Sequence, residues 1–142
     1  MTTYVVDASA VIEYLVSGSY TVNADALFNR LSPVDTIVAP EFCLLECTNV
    51  IWKHVRFQGM SRQQADKTLR DLRALPLKRV PTKSVLHYAL EIGLKYQLAV
   101  YDSAYVALAK RSNYPLITVD QPQTRAATAE GVTLKPITDF KL

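Results

Sequence analysis

The stretch Tyr4-Val5-Val6-Asp7-Ala8-Ser9-Ala10-Val11 decides the fold. Tyr4 to Val6 are β-formers without a polar face, the composition of a strand buried on both sides. An acid, a small residue and a hydroxyl follow, and apolar residues resume at Ala10. Asp7 therefore falls where a buried strand ends. In an open α/β sheet that carboxyl edge is where sites are built. Asp7 and Ser9 are also both able to cap the helix that follows. Whether Asp7 is a cap or a working carboxylate turns on whether other acids recur at the same structural position.

Outward from this stretch, short apolar strands alternate with helices. Helices are expected over residues 8–16 and 22–31, the second capped by Asn23 and stopped by Ser32-Pro33. Residues 36–39 read as a second buried strand ended by Pro40. The longest helix is expected over 41–57. Phe42, Leu45, Asn49, Trp52, Val55 and Arg56 share rough helical spacing there, and Leu44, Val50 and Ile51 widen the apolar face. Gly59 is its natural stop. Ser61 and Gln64 have capping-box spacing and open a charged helix to about residue 75, with Leu69, Leu72 and Leu75 as a narrow stripe. Residues 77–80 read as a third strand.

Thr82 then caps a helix over 83–96 whose core face is Val85, Leu86, Ala89, Leu90 and Ile92; His87 lies off that face. A helix over 103–110, a strand over 114–120 ending in Asp120, a helix from Pro122 to Ala129 stopped by Gly131, and an edge strand over 132–134 complete the chain. The alternation predicts a parallel sheet covered on both faces.

The chain has 142 residues, 49% apolar and 20% charged, which suits one globular domain over 1–142 with a genuine core. There is no basic start with an apolar h-region and no run long enough to span a membrane, so a cytoplasmic protein is expected. Cys43 and Cys47, at i,i+4 on a helix, fit a reducing compartment. With His54 they lack a fourth ligand and finger spacing for zinc, so two small packed side chains are expected. The net charge of +3 hides an asymmetry. Lys53, Arg56, Arg62, Lys67, Arg70, Arg73, Lys78, Arg79 and Lys83 face only Asp66 and Asp71, leaving the remainder net acidic. A basic lobe beside an acidic remainder suits phosphate binding, and a solvated helix face has the same composition.

Four acids stand out by position. Asp7 ends the first strand, Glu46 sits in the apolar run Phe42-Cys43-Leu44-Leu45-Glu46-Cys47, Asp102 opens a helix, and Asp120 ends the strand over 114–120. An acid among core residues needs a partner. Glu46 has none near in sequence: Lys53 is a heptad away, and Asn49 at i+3 offers at best a hydrogen bond. A cation from outside the chain would serve all four. Hard carboxylate oxygens suit Mg²⁺ or Mn²⁺, one ion or two about 3.5–4 Å apart. Singly, each acid keeps a bland explanation, Asp102 as a helix cap and Asp120 as a turn residue.

At these residues the chain resembles the PIN-domain ribonucleases, and within them the VapC-like toxins of type II toxin–antitoxin pairs. The likeness covers nearly the whole chain. It rests on Val5-Val6-Asp7-Ala8-Ser9, on 45–53, on 101–109 and on Leu116-Ile117-Thr118-Val119-Asp120. No one motif is decisive, but the four stand in the family order at family-like separations. The resemblance implies a three-layer α/β/α PIN-like fold with a short-stranded, mostly parallel, doubly wound sheet. It implies Mg²⁺- or Mn²⁺-dependent hydrolysis of RNA. Matched residue by residue, Asp7, Glu46, Asp102 and Asp120 are the catalytic, metal-holding acids. Ser9 and Thr118 are hydroxyls beside the metal, and Asn49 is a helix residue facing the site. A small antitoxin and a homodimer are also implied. Gln121-Pro122-Gln123 follows Asp120 where some members carry a further acid, which weakens a second metal site. Tyr101, Tyr105 and Trp52 suit base stacking, though core packing is the plainer expectation for all three.

Two other functions fit less well. A phosphatase-like enzyme with Asp7 as nucleophile lacks the second acid at i+2. A catalytically degenerate module that binds RNA or protein without cutting sits badly with the presence of all four acids.

Overall fold

The computed structural model describes residues 2–31 and 34–141. Four parallel strands form the sheet: β1 (Thr2–Val6), β2 (Asp35–Pro40), β3 (Leu77–Val80) and β4 (Leu116–Ile117), in the order β3-β2-β1-β4. Val5, Val6, Ile37, Ala39, Leu116 and Ile117 are fully buried, as strands covered on both faces require. Among the described residues seven helices flank them: α1 (Ala8–Leu15), α2 (Thr21–Asn29), α3 (Cys43–Phe57), α4 (Arg62–Ala74), α5 (Leu86–Tyr96), α6 (Val100–Ser112) and α7 (Gln121–Ala129). Among these described residues no helix is long and apolar enough to cross a membrane.

The order of the strands places the site. The chain lays β2 and then β3 on one side of β1 and returns to set β4 on the other. The carboxyl ends of β1 and β4 thus lie side by side at a topological switch point, where a crevice opens. Val5 pairs with Leu116 and Val6 with Ile117, and the Asp7 N–H donates to the Ile117 carbonyl at 3.3 Å. Helix α6 packs on β1, β2 and β4 and against α5 and α7. Every residue from Ser103 to Ala109 is buried, so α6 is enclosed on all sides. The expected capping box at Ser61 and Gln64 is present on α4.

Several expectations give way to tertiary packing. Asn23 is not a cap: α2 begins earlier, at Thr21, and the Asn23 side chain instead donates to the Phe140 carbonyl at 2.8 Å, tying α2 to the C-terminal segment. The expected stop at Ser32-Pro33 lies outside the described residues. A 3₁₀ turn (Thr82–Val85) precedes α5, and α6 starts three residues ahead of Ser103. The expected strand over 114–120 pairs only at Leu116–Ile117. Beyond it the N–H groups of Val119 and Asp120 turn to the side-chain hydroxyls of Ser9 and Thr118, so the ladder stops where the site begins. The expected edge strand over 132–134 is a single bridge from Leu134 to Leu116. Pro136, which lacks an N–H, follows it and leads into a 3₁₀ turn (Ile137–Asp139).

The core face of α3 is not the stripe read from the sequence. Cys43, Cys47 and Ile51 are buried at i,i+4 spacing, while Leu45 is 73% and Trp52 55% exposed. Of the set expected on the helix over 83–96, Val85 in the 3₁₀ turn and Ala89 and Ile92 on α5 are buried, but Leu86 and Leu90 are exposed. Tyr101 is exposed as well, and only Tyr105 joins the core. Periodicity identifies an apolar stripe without saying whether it meets the protein's own core. The two cysteines are free and buried, as expected. The hydrogen bond that the Cys47 thiol donates to Cys43, and then burial, push that thiol far up, so it stays protonated.

Gly93 fixes the junction that carries the start of α6. A Cβ there would lie 2.8 Å from the Leu98 carbonyl oxygen and 3.2 Å from Ser103 Oγ. That hydroxyl itself bonds the Ala99 carbonyl at 3.0 Å. The Gly93→Ala protein is expected to lose about 1–3 kcal/mol of stability through this overpacking, read from its denaturant midpoint.

Candidate active site

The four acids come from four separate elements and line one cleft of about 230 Å³. Asp7 lies just past β1 and caps α1; Glu46 is in the first turn of α3; Asp102 is in the first turn of α6; Asp120 caps α7. Ala8, Ser9, Ile12, Val50, Tyr105 and Gln123 complete the lining. None of the four acids takes part in an ion pair among the described residues.

Asp7 is held from all sides. Ser9 Oγ donates to its two oxygens at 2.7 and 2.8 Å, Thr118 Oγ1 to Oδ2 at 2.7 Å, and the Ala10 N–H to Oδ1 at 3.0 Å. Both hydroxyls are in turn fixed by accepting backbone N–H groups, Ser9 from Val119 at 3.1 Å and Thr118 from Asp120 at 3.0 Å. Asp7 is 1% exposed, and that burial pushes its carboxyl up to about 6 despite these donors; repulsion from Asp120 adds to the rise.

Glu46 receives a hydrogen bond from the Tyr105 hydroxyl at 2.7 Å. Burial raises its pKa, the Tyr105 bond opposes this, and the Asp102 charge adds to the rise. Asp102 is raised by burial and then by Asp120, against a hydrogen bond from Gln123 Nε2 at 3.3 Å. Asp102 is no cap, because Ala99 holds that position. Asp120 is one, accepting from the Gln123 N–H at 3.0 Å. Its capping role and its place on the cleft are compatible.

Ser9 and Thr118 thus both sit against Asp7. Asn49 does not line the acidic cleft. It is exposed and borders a neighbouring cleft of about 330 Å³ with Phe42, Leu45, Glu46, Val50, Lys53 and Tyr101. Two residues of the site were not assigned to it from the sequence. Tyr105 is the missing partner of Glu46, and Gln123 the partner of Asp102. The available signal was spacing: Tyr105 is i+3 from Asp102 on α6, and Gln123 is i+3 from Asp120 across the α7 cap, so each shares a helix face with an acid.

The PIN domain family profile matches residues 4–129. This chain is a PIN domain. It is 31% identical over 119 residues to Ribonuclease VapC3 of Pyrobaculum aerophilum, covering 82% of this chain and 88% of that one. In fold the PIN domain resembles the crystal structure of PAE2754 from Pyrobaculum aerophilum, with a TM-score of 0.71 at 18% identity over 97% of this chain and 91% of the other. It also resembles VapBC2 from Rickettsia felis, solved bound to a DNA fragment from its promoter, with a TM-score of 0.69 at 13% identity over 95% and 98%.

The donor set of this PIN domain fits a hard divalent cation. Among the described residues, four carboxylates with no basic partner share a cleft, and a buried amide oxygen of the same lining, Gln123 Oε1, has no hydrogen-bond partner. Among the described residues no three His, Cys, Asp or Glu groups stand close enough to hold one ion as they are. Like charges repel at short range, and a positive charge between them would offset that repulsion. Loss of the Tyr105 hydroxyl in Tyr105→Phe leaves Glu46 short of a donor. It is expected to cut RNA cleavage about tenfold, most at low cation concentration, as read from kcat/KM against added Mn²⁺.

Proposed function

We propose that this PIN domain is a Mg²⁺- or Mn²⁺-dependent endoribonuclease, the toxin of a toxin–antitoxin pair. The observation that carries the reading is the convergence of Asp7, Glu46, Asp102 and Asp120 on one cleft without a basic residue to neutralise them. These four would hold the cation, which supplies an activated water and offsets charge on the attacked phosphate.

The chain's own residues do the rest. Ser9 and Thr118 keep Asp7 ionisable in a buried position by spending their hydroxyl hydrogens on it. Tyr105 aims one Glu46 oxygen. Ile12 and Val50 give the cleft an apolar wall. Lys53 borders the adjoining cleft, where a phosphate backbone would approach the acids. Arg62 and Lys67 pair with Asp66 and Asp71 along α4, so part of the basic lobe is already compensated within its own helix. Binding through the remainder would be salt-dependent.

An Asp7 nucleophile is disfavoured by the engagement of both carboxyl oxygens with donors of the protein itself. The antitoxin reading draws on the VapBC2 likeness and on exposed apolar side chains: Leu45, Trp52 and Phe57 on α3, Leu86, Leu90 and Leu94 on α5, and Tyr101. Surface of this kind suits a protein partner, the antitoxin or a second copy in a homodimer. The test is cleavage of an RNA panel with and without Mn²⁺, wild type against a folded Asp7→Asn protein. Equal cleavage by the two would end the proposal.

A further inference from the structure

Gln123 carries a polar atom that none of the described residues satisfies. The residue is 3% exposed, and its Oε1 is buried with no hydrogen-bond partner among the described residues. Its setting leaves little freedom. The backbone N–H is fixed on Asp120 Oδ2 at 3.0 Å, and the side-chain Nε2 donates to Asp102 Oδ1 at 3.3 Å. The amide cannot be reversed, because an ionised Asp102 only accepts and the NH₂ group has to face it. Oε1 is therefore turned away from Asp102, on a residue that borders the acidic cleft.

The other side chains lining the cleft supply no donor for it. The four carboxylates, once ionised, have no hydrogen to give. The hydroxyls of Ser9 and Thr118 are committed to Asp7, and that of Tyr105 to Glu46. A buried acceptor left alone costs stability, and a leucine of similar size would avoid the cost. The donor has to arrive from outside, and a cation's hydration shell brings one. Water on a cation turns its lone pairs to the ion and its hydrogens outward, toward acceptors.

We infer that the Gln123 carboxamide oxygen accepts a hydrogen bond from hydration water that enters the cleft with a divalent cation, making Gln123 a positioning residue for the hydrated ion. This rests on the metal-dependent ribonuclease reading. The Nε2 end holds Asp102 while the Oε1 end holds the water, so one side chain sets an acid and a solvent molecule relative to each other. An amide does this without adding a further negative charge to a cleft that already has four acids.

The test is Mn²⁺ titration of the purified protein without RNA, followed by calorimetry, with melting of the metal-free forms alongside. Gln123→Leu is expected to bind Mn²⁺ about 10–100-fold more weakly and to melt no lower than wild type when metal-free. Gln123→Glu, which keeps an acceptor but loses the donor to Asp102, is expected to bind within a few-fold of wild type or more tightly. Gln123→Met serves in place of the leucine variant if that fails to fold. Equal weakening in the Leu and Glu variants would overturn the inference, since only the Asp102 bond would then matter. A Leu variant with wild-type Mn²⁺ affinity and a raised KM for RNA would overturn it in favour of a substrate donor. Wild type that neither binds Mn²⁺ nor cleaves RNA removes the underlying reading. Wild type that does both, beside a Leu variant that matches it, removes only the role of Gln123.

Discussion

Asp7→Asn is expected to lower RNA cleavage at least about 100-fold, since it removes a carboxylate that would meet the ion and with it several kcal/mol of transition-state stabilisation. The same change is expected to stabilise the metal-free protein. Burial lifts the Asp7 carboxyl from 3.8 to about 6, and a rise of two units corresponds to roughly 3 kcal/mol against the ionised form. The folded state holds this proton more strongly than the unfolded chain does. Below pH 3.8 both states are protonated and Asp7 makes no difference. As pH rises toward 6 the unfolded state ionises first and stability falls, and above 6 the deficit is constant.

Asparagine never ionises, so its advantage should be small near pH 4 and reach about 1–3 kcal/mol at pH 8; the lower end allows for an amide NH₂ among groups that donate. Denaturant melts at the two pH values, with and without Mn²⁺, measure this. Mn²⁺ should stabilise the wild type and not the variant. A variant less stable than wild type at pH 8 would mean that Asp7 is there for the fold.

The second large effect is on pH and metal together. Cleavage by the wild type should rise with pH along an acid limb near 6, because the ion binds the ionised carboxylate. At a fixed low concentration of Mn²⁺, activity at pH 5 should be about tenfold below that at pH 7. Raising Mn²⁺ should move the limb to lower pH, since the cation competes with the proton for Asp7. Glu46 and Asp102, both raised by burial first, broaden the limb. EDTA should abolish cleavage and excess Mn²⁺ restore it. A limb that ignores the cation concentration would place the titrating group outside the metal site.

The sequence by itself determined the elements that build the sheet and the identity of its acids. Buried strands with no polar face are recognisable from apolar β-formers alone, as at Val5-Val6-Asp7, although the strand expected over 114–120 pairs only at Leu116–Ile117. The capping box at Ser61 and Gln64 was equally legible, because it depends on residues three apart. Tertiary structure alone decided what required knowing who stands next to whom. That β4 lies beside β1 follows from a chain reversal no local pattern records, and it is this placement that brings Thr118 onto Asp7, 111 residues away. The same holds for Tyr105 on Glu46, and for the α3 face that meets the core, which is Cys43, Cys47 and Ile51 rather than the larger apolar stripe beside it. Local preferences act over a few residues, whereas hydrogen bonds and burial act between whatever surfaces the fold puts in contact.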